Sequence, residues 1–193
     1  MIGRAVLLAS FLLASTGLLA ADKKGEFFAR GEGVETCRAF VTDKAAGSPK
    51  YYLYRSWLNG YVSAYNQFVD KTYDITPRAD IDGLALLIEA HCKKLPDQPI
   101  WTVAFGLLSN FKEHRLQQKS ELVTATAGGQ TVRVFKETLR AVQLSLKEKG
   151  HFAGTPDGVF ADKTQVALEA YQKREKLPVT GLPDDVTLLK LFY

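Results

Sequence analysis

Residues 150–181 read GHFAGTPDGVFADKTQVALEAYQKREKLPVTG, and the fold turns on this stretch. Gly150 stops the helix before it, Pro156-Asp157-Gly158 makes a turn, and Val166, Ala167, Ala170 and Tyr171 then recur at helical spacing. A second bend follows at Thr180-Gly181, after which Leu182-Pro183-Asp184-Asp185-Val186-Thr187 leads into a last apolar run. Apolar residue, glycine, a few residues, threonine: the order is spelled twice. In Asp157-Gly158-Val159-Phe160 and in Thr180-Gly181-Leu182 the glycine permits positive φ, so the next apolar residue can turn inward. Asp162 or Thr164 is placed to cap the middle helix by accepting from its free N–H groups.

Upstream, Leu139, Val142, Gln143 and Leu146 form a leading helix that ends at Gly150. Val142, Gln143, Leu146, Gly150, Asp157-Gly158, Phe160, Thr164, Ala167, Leu168, Tyr171, Gln172 and Leu177 to Gly181 follow one another in the order of a known module. On these residues positions 132–193 resemble the peptidoglycan-binding-like domain, a three-helix unit appended to bacterial cell-wall amidases, carboxypeptidases and transglycosylases. Ala161 and Asp162 stand where that family usually has Gly and Pro, and Lys176 where it usually has Gly. A left-handed cap at Lys176 costs roughly 1 kcal/mol relative to glycine. The resemblance implies a ligand in a shallow groove beside the Asp-Gly loop, met by Phe152, Asp157, Tyr171, Gln172 and Arg174. Gly150, Gly158, Thr164 and Gly181 are expected to shape the turns.

At the other end, Arg4 gives a positive start and residues 5–19 are apolar, too short a run for a membrane span and suited to a signal peptide. Cleavage near Ala20 or Ala21 removes residues 1–21, leaves no stable membrane anchor, and puts the mature protein in the periplasm or outside the cell. The whole chain has 25 basic and 21 acidic residues, a net charge of +4 spread along its length. Nucleic-acid binding needs a concentrated basic patch, so no nucleic acid is expected.

Cys37 and Cys92 are the only cysteines, and in an exported chain an even pair reads as a disulfide. Closing that loop removes unfolded-state entropy worth about 4 kcal/mol in the simplest chain model. A metal centre is the alternative, because His91 adjoins Cys92, but no second ligand pair completes a set. No metal and no cofactor are expected.

Between the cysteines the pattern is helical. Residues 35–41 place Cys37, Phe40 and Val41 on one face, and Tyr54, Trp57, Leu58, Tyr61, Tyr65 and Phe68 form an aromatic stripe opposite Arg55, Asn59, Ser63 and Asn66. Tyr51, Tyr52 and Tyr73 lie off the stripe and are the better surface candidates for stacking a sugar. Asp80 is placed to cap a helix with Ile81, Leu84, Ile88 and Leu95 inward, and Pro99 opens another with Ile100, Ala104, Leu107, Leu108 and Phe111 inward. Residues 37–112 resemble small exported two-cysteine helical proteins of the immunity type, a likeness that carries no activity with it.

The expected class is therefore all-α: a disulfide-stapled helical bundle over 22–112, a helix tail and flexible linker over 113–131, and a three-helix module over 132–193. The linker reading rests on the polar run after Lys112 and on Gly128-Gly129, with Thr131 to Phe135 alternating briefly as a short strand or lead-in. Hydrolases of the wall need converging zinc ligands or paired carboxylates in an apolar cleft. His91, His114 and His151 are scattered singly, and Asp80 and Asp82 read as helix-start residues. The expectation is a non-catalytic peptidoglycan-binding protein, with an envelope protein-interaction or immunity-type inhibitor as the alternative.

Overall fold

Capping residues set where the N-terminal helices begin. In the computed structural model, which describes residues 21, 22, 24 and 26–193, Thr36 accepts from the Ala39 amide and starts α1 (Cys37–Ala45). Ser48 caps α2 (Pro49–Phe68), with Pro49 in the first turn where a missing N–H costs nothing. Asp80 accepts from the amides of Asp82 and Gly83 at 2.7 and 3.1 Å to open α3 (Ile81–Cys92), and α4 (Ile100–Phe111) follows Pro99. The expected leader falls, apart from its last residue, outside the described residues.

These helices bury one shared interior in which Phe40, Tyr54, Leu58, Ile75, Leu84, Ile88, Ile100 and Leu108 are closed to solvent. Each such aliphatic side chain contributes roughly 1.5–3 kcal/mol. Phe40 meets Tyr54 edge to face at 5.4 Å, and the Tyr54 hydroxyl donates to Asp43. The Cys37–Cys92 disulfide ties α1 to the end of α3, as the sequence led us to expect. Two readings fail here. Phe68 and Leu95 are exposed: Phe68 is the last residue of α2, and Leu95 lies beyond Cys92, where α3 has already ended. Tyr51, expected at the surface, is partly buried against the bundle interior, whereas Tyr52 is open.

The chain is mostly helical but not all-α. Where a flexible linker and then a short strand or lead-in were expected, β1 (Leu122–Ala127) and β2 (Gln130–Phe135) form an antiparallel hairpin registered from Ala127 opposite Gln130 to Leu122 opposite Phe135. Gly128 and Gly129 take φ of +55° and +76°, and a two-residue turn with both central residues at positive φ matches the twist of paired strands. Burial alternates accordingly: Ala125 and Ala127 pack with Leu182, alongside Val132 and Phe160. Two small alanines on the inward face look like linker composition, and only a packed neighbour makes them strand residues.

From β2 the chain passes directly into α5 (Lys136–Glu148), then α6 (Asp162–Glu175) and α7 (Asp185–Phe192). Leu139, Val142, Leu146, Phe152, Leu168, Tyr171, Leu188 and Leu191 fill the space between them. On α6 the inward face is Thr164, Ala167, Leu168, Tyr171 and Gln172, while Val166 and Ala170 are exposed. Neither Asp162 nor Thr164 caps α6. Ala161 occupies the cap position without a side-chain bond, Asp162 is the first helical residue, and Thr164 is turned into the interior. Lys176 ends the helix at φ +58°, ψ 35°, the left-handed cap that glycine usually supplies.

The C-terminal segment packs on the bundle through specific contacts. Thr138 donates to the Pro77 carbonyl at 2.7 Å, Phe111 meets Tyr193 at 4.9 Å, and Arg78 lies 4.2 Å over the Phe192 ring. Leu116 pairs with Asp74 through backbone bonds, so the stretch before the hairpin is held down as well.

Candidate functional site

The Asp-Gly and Thr-Gly bends owe their shape to two glutamines that the surrounding helices bury completely. Gln143 Oε1 accepts from the Asp157 and Gly158 amides, both at 2.8 Å, and its Nε2 lies 3.0 Å from Asp157 Oδ1, the Val159 carbonyl and Thr164 Oγ1. Gln172 repeats this on the second bend. Its Oε1 accepts from the Gly181 amide at 2.9 Å, and its Nε2 reaches Thr180 Oγ1, the Leu182 carbonyl and Thr187 Oγ1. A buried turn has backbone groups that water cannot reach, and one primary amide satisfies several of them at once. Gly158 is required twice over: its φ is +73°, and a Cβ there would lie 2.5 Å from the Lys136 carbonyl oxygen.

This geometry corrects most of the expected contact residues. Gln172 and Tyr171 are 0% and 2% exposed, and Phe152 is 6% exposed, so none of the three presents a side chain to a ligand. The Tyr171 hydroxyl is committed to the Lys190 carbonyl at 3.1 Å. Asp157 sits at the surface, but its carboxylate accepts from the Val159 amide and from Gln143, and these bonds hold it below the usual carboxylate range. Residues read as a binding floor are the interior and the turn frame of the module. Periodicity places a residue on a helix face; it does not tell a groove floor from a core.

Asp157 and Arg174 are the two members of the set at the surface, and of these Arg174 is not tied into a bend. Its guanidinium stands 5.9 Å from the Tyr171 ring centroid and pairs with Glu175 at 3.1 Å, and Lys190 lies 3.7 Å from the other Glu175 oxygen. His151 packs edge-on to Tyr171 at 5.9 Å, and its Nε2 is shielded from solvent without a hydrogen-bond partner. Burial, then the Arg174 charge, pushes this imidazole below its ordinary value, so it is neutral around pH 7. Arg174, Glu175, Lys190 and His151 thus form a mixed-charge patch with an aromatic edge, suited to hydrogen-bonding a polar ligand.

A larger cavity of about 750 Å³ lies where the C-terminal segment meets the bundle, with Asn66, Asp74 and Asp80 on one wall and Arg133, Asp184 and Asp185 on the other. Its carboxylates are mostly engaged. Asp74 accepts from the Thr76 amide, Asp80 caps α3, and Asp184 caps α7 through the Thr187 amide. His91 and His114 are exposed and do not line this cavity. Among the described residues no three His, Cys, Asp or Glu side chains converge as a metal site, and no helix is long and apolar enough to cross a membrane.

Residues 136–191 match the family model described as "Putative peptidoglycan binding domain". The match begins at the first residue of α5 and ends within α7, so it takes in both glutamine-held bends. Comparison with the curated proteins and with the solved structures gives no match.

Proposed function

We propose that this chain is an exported, non-catalytic protein that holds peptidoglycan through residues 132–193 and so tethers its cysteine-stapled N-terminal bundle to the cell wall. The observation that carries the reading is the family match over residues 136–191. It is supported by the way that segment is built, with rigid bends held from inside and the polar patch around Arg174 left open. A binding surface on pre-formed turns loses little entropy when it engages a polymer, and weak, reversible attachment at many sites is enough to keep a protein on the wall.

Co-sedimentation with purified sacculi tests this. The full chain and a fragment of residues 118–193, which keeps the hairpin whole, are expected in the pellet, and residues 22–115 in the supernatant. The reverse partition overturns the proposal.

A second reading takes the bundle as the working part, an envelope protein-interaction or inhibitor unit of the immunity type. Tyr52, Leu53, Phe68 and Phe105 are each more than half exposed on it, and large apolar side chains in that position favour a protein partner. Recovery of one stoichiometric protein in a pull-down, unaffected by digestion of the sacculus, would favour it.

A further inference from the structure

The 750 Å³ cleft between bundle and C-terminal segment shares no residue with the patch around Arg174. Val62 and Leu84 line it from the bundle, Val134 and Leu188 from the C-terminal segment, and all four are buried or half-buried. Small-molecule sites have volumes of roughly 300–1,000 Å³, favour the junction of two structural units, and combine an apolar lining with a few polar groups that fix orientation.

Most polar groups of this lining are spent on the fold. Asn66 accepts from the Ile75 amide and Asp74 from the Thr76 amide, Asp80 caps α3, and Asp184 caps α7. Three others are uncommitted. Among the described residues the Asn59 and Arg133 side chains make no hydrogen bond and no ion pair, and Asp185 caps no helix and pairs with no cation. A guanidinium grips a carboxylate at two points, a carboxylate accepts from an ammonium, and a primary amide both donates to and accepts from a peptide group. Burial above all raises the Asp185 carboxyl to about 7, and a ligand ammonium would supply the cation that it lacks. Four aspartates against one arginine make the lining acidic, which favours a ligand bearing an amine and repels a polyanion.

We propose that this cleft is a binding site for a short peptide with a free amine and a free carboxylate. Arg133 takes the carboxylate, Asp185 the ammonium and Asn59 a backbone amide group, while the apolar lining receives a side chain. An uncharged saccharide would leave the guanidinium and the Asp185 carboxyl without partners. Because both parts of the chain contribute to the lining, the occupant bridges them. The proposal does not depend on the chain's holding peptidoglycan.

Amide chemical-shift mapping of the full chain tests it, with three probes: the tripeptide Ala-Leu-Ala, the same tripeptide acetylated and amidated at its ends, and chitotriose. The free peptide is expected to shift amides around Asn59 and over residues 131–135, and the end-blocked form to bind at least about tenfold more weakly, since it forfeits both charge-assisted contacts. Arg133→Ala, a change at an exposed strand position, is expected to weaken the free peptide severalfold with the melting temperature unchanged. Shifts absent from the cleft, equal binding of the blocked peptide or of chitotriose, or full binding by Arg133→Ala would each overturn the proposal. Retention on sacculi is read separately, so the wall-binding proposal can fail or hold without moving this result.

Discussion

Gln143 on α5 and Gln172 on α6 make the same hydrogen bonds to two different bends: each takes the amide of the bend glycine, gives to the carbonyl of the next residue, and gives to a threonine on the helix that follows. The recurrence of glycine and threonine along the sequence is the trace of this duplicated clasp. Each half consists of a helix that supplies the amide and a bend and helix that receive it.

Substituting Gln143 by Leu leaves the buried Gly158 amide and its neighbours without a partner, and each orphan costs about 1–3 kcal/mol. The variant is expected to lose at least about 3 kcal/mol in denaturant unfolding, and Gln172→Leu a similar amount. A loss below about 1 kcal/mol in both would show that the clasp does not hold the bends.

Two glycines at positive φ separate strain from crowding. Gly150 has φ +78° and open space around it, so Gly150→Ala is expected to cost about 1 kcal/mol. Gly158→Ala adds a clash with the Lys136 carbonyl and is expected to cost about 3 kcal/mol or more. Thermal melts of the pair check the order.

Lys176→Gly removes the left-handed penalty at the end of α6 and is expected to stabilise by roughly 0.5–1 kcal/mol, the higher unfolded-state entropy of glycine offsetting part of the gain. A fall in melting temperature would contradict it.

Reduction of Cys37–Cys92, which closes a sequence separation of 55, is expected to lower stability by about 4 kcal/mol. Hydrogen exchange should place the loss in α1 to α4, with the amides of α5 to α7 the less affected.

Arg174→Ala is expected to weaken sacculus binding severalfold while leaving the melting temperature within about 1 °C, since its ion pair is surface-exposed and contributes little to folding. Equal retention of variant and wild type on sacculi would remove Arg174 from the binding surface.

Spacing revealed the helices of the bundle, the inward residues of α5 and the two glycine bends, because 3.6-residue periodicity, caps and positive-φ positions are local properties, and the cysteine count gave the disulfide. Alternation over 131–135 allowed a short strand there, but its partner at 122–127 was hidden because the inward residues Ala125 and Ala127 become strand residues only by packing on Leu182, far along the chain. The contact residues were misjudged for a related reason: Phe152, Tyr171 and Gln172 carry the chemistry of a sugar site, and only burial shows that the same chemistry is spent on the interior. What the order of residues determined by itself was the helices and the two glycine bends. Which glutamine reached which bend was decided in three dimensions, since desolvation and hydrogen-bond pairing depend on partners that sequence separation does not reveal.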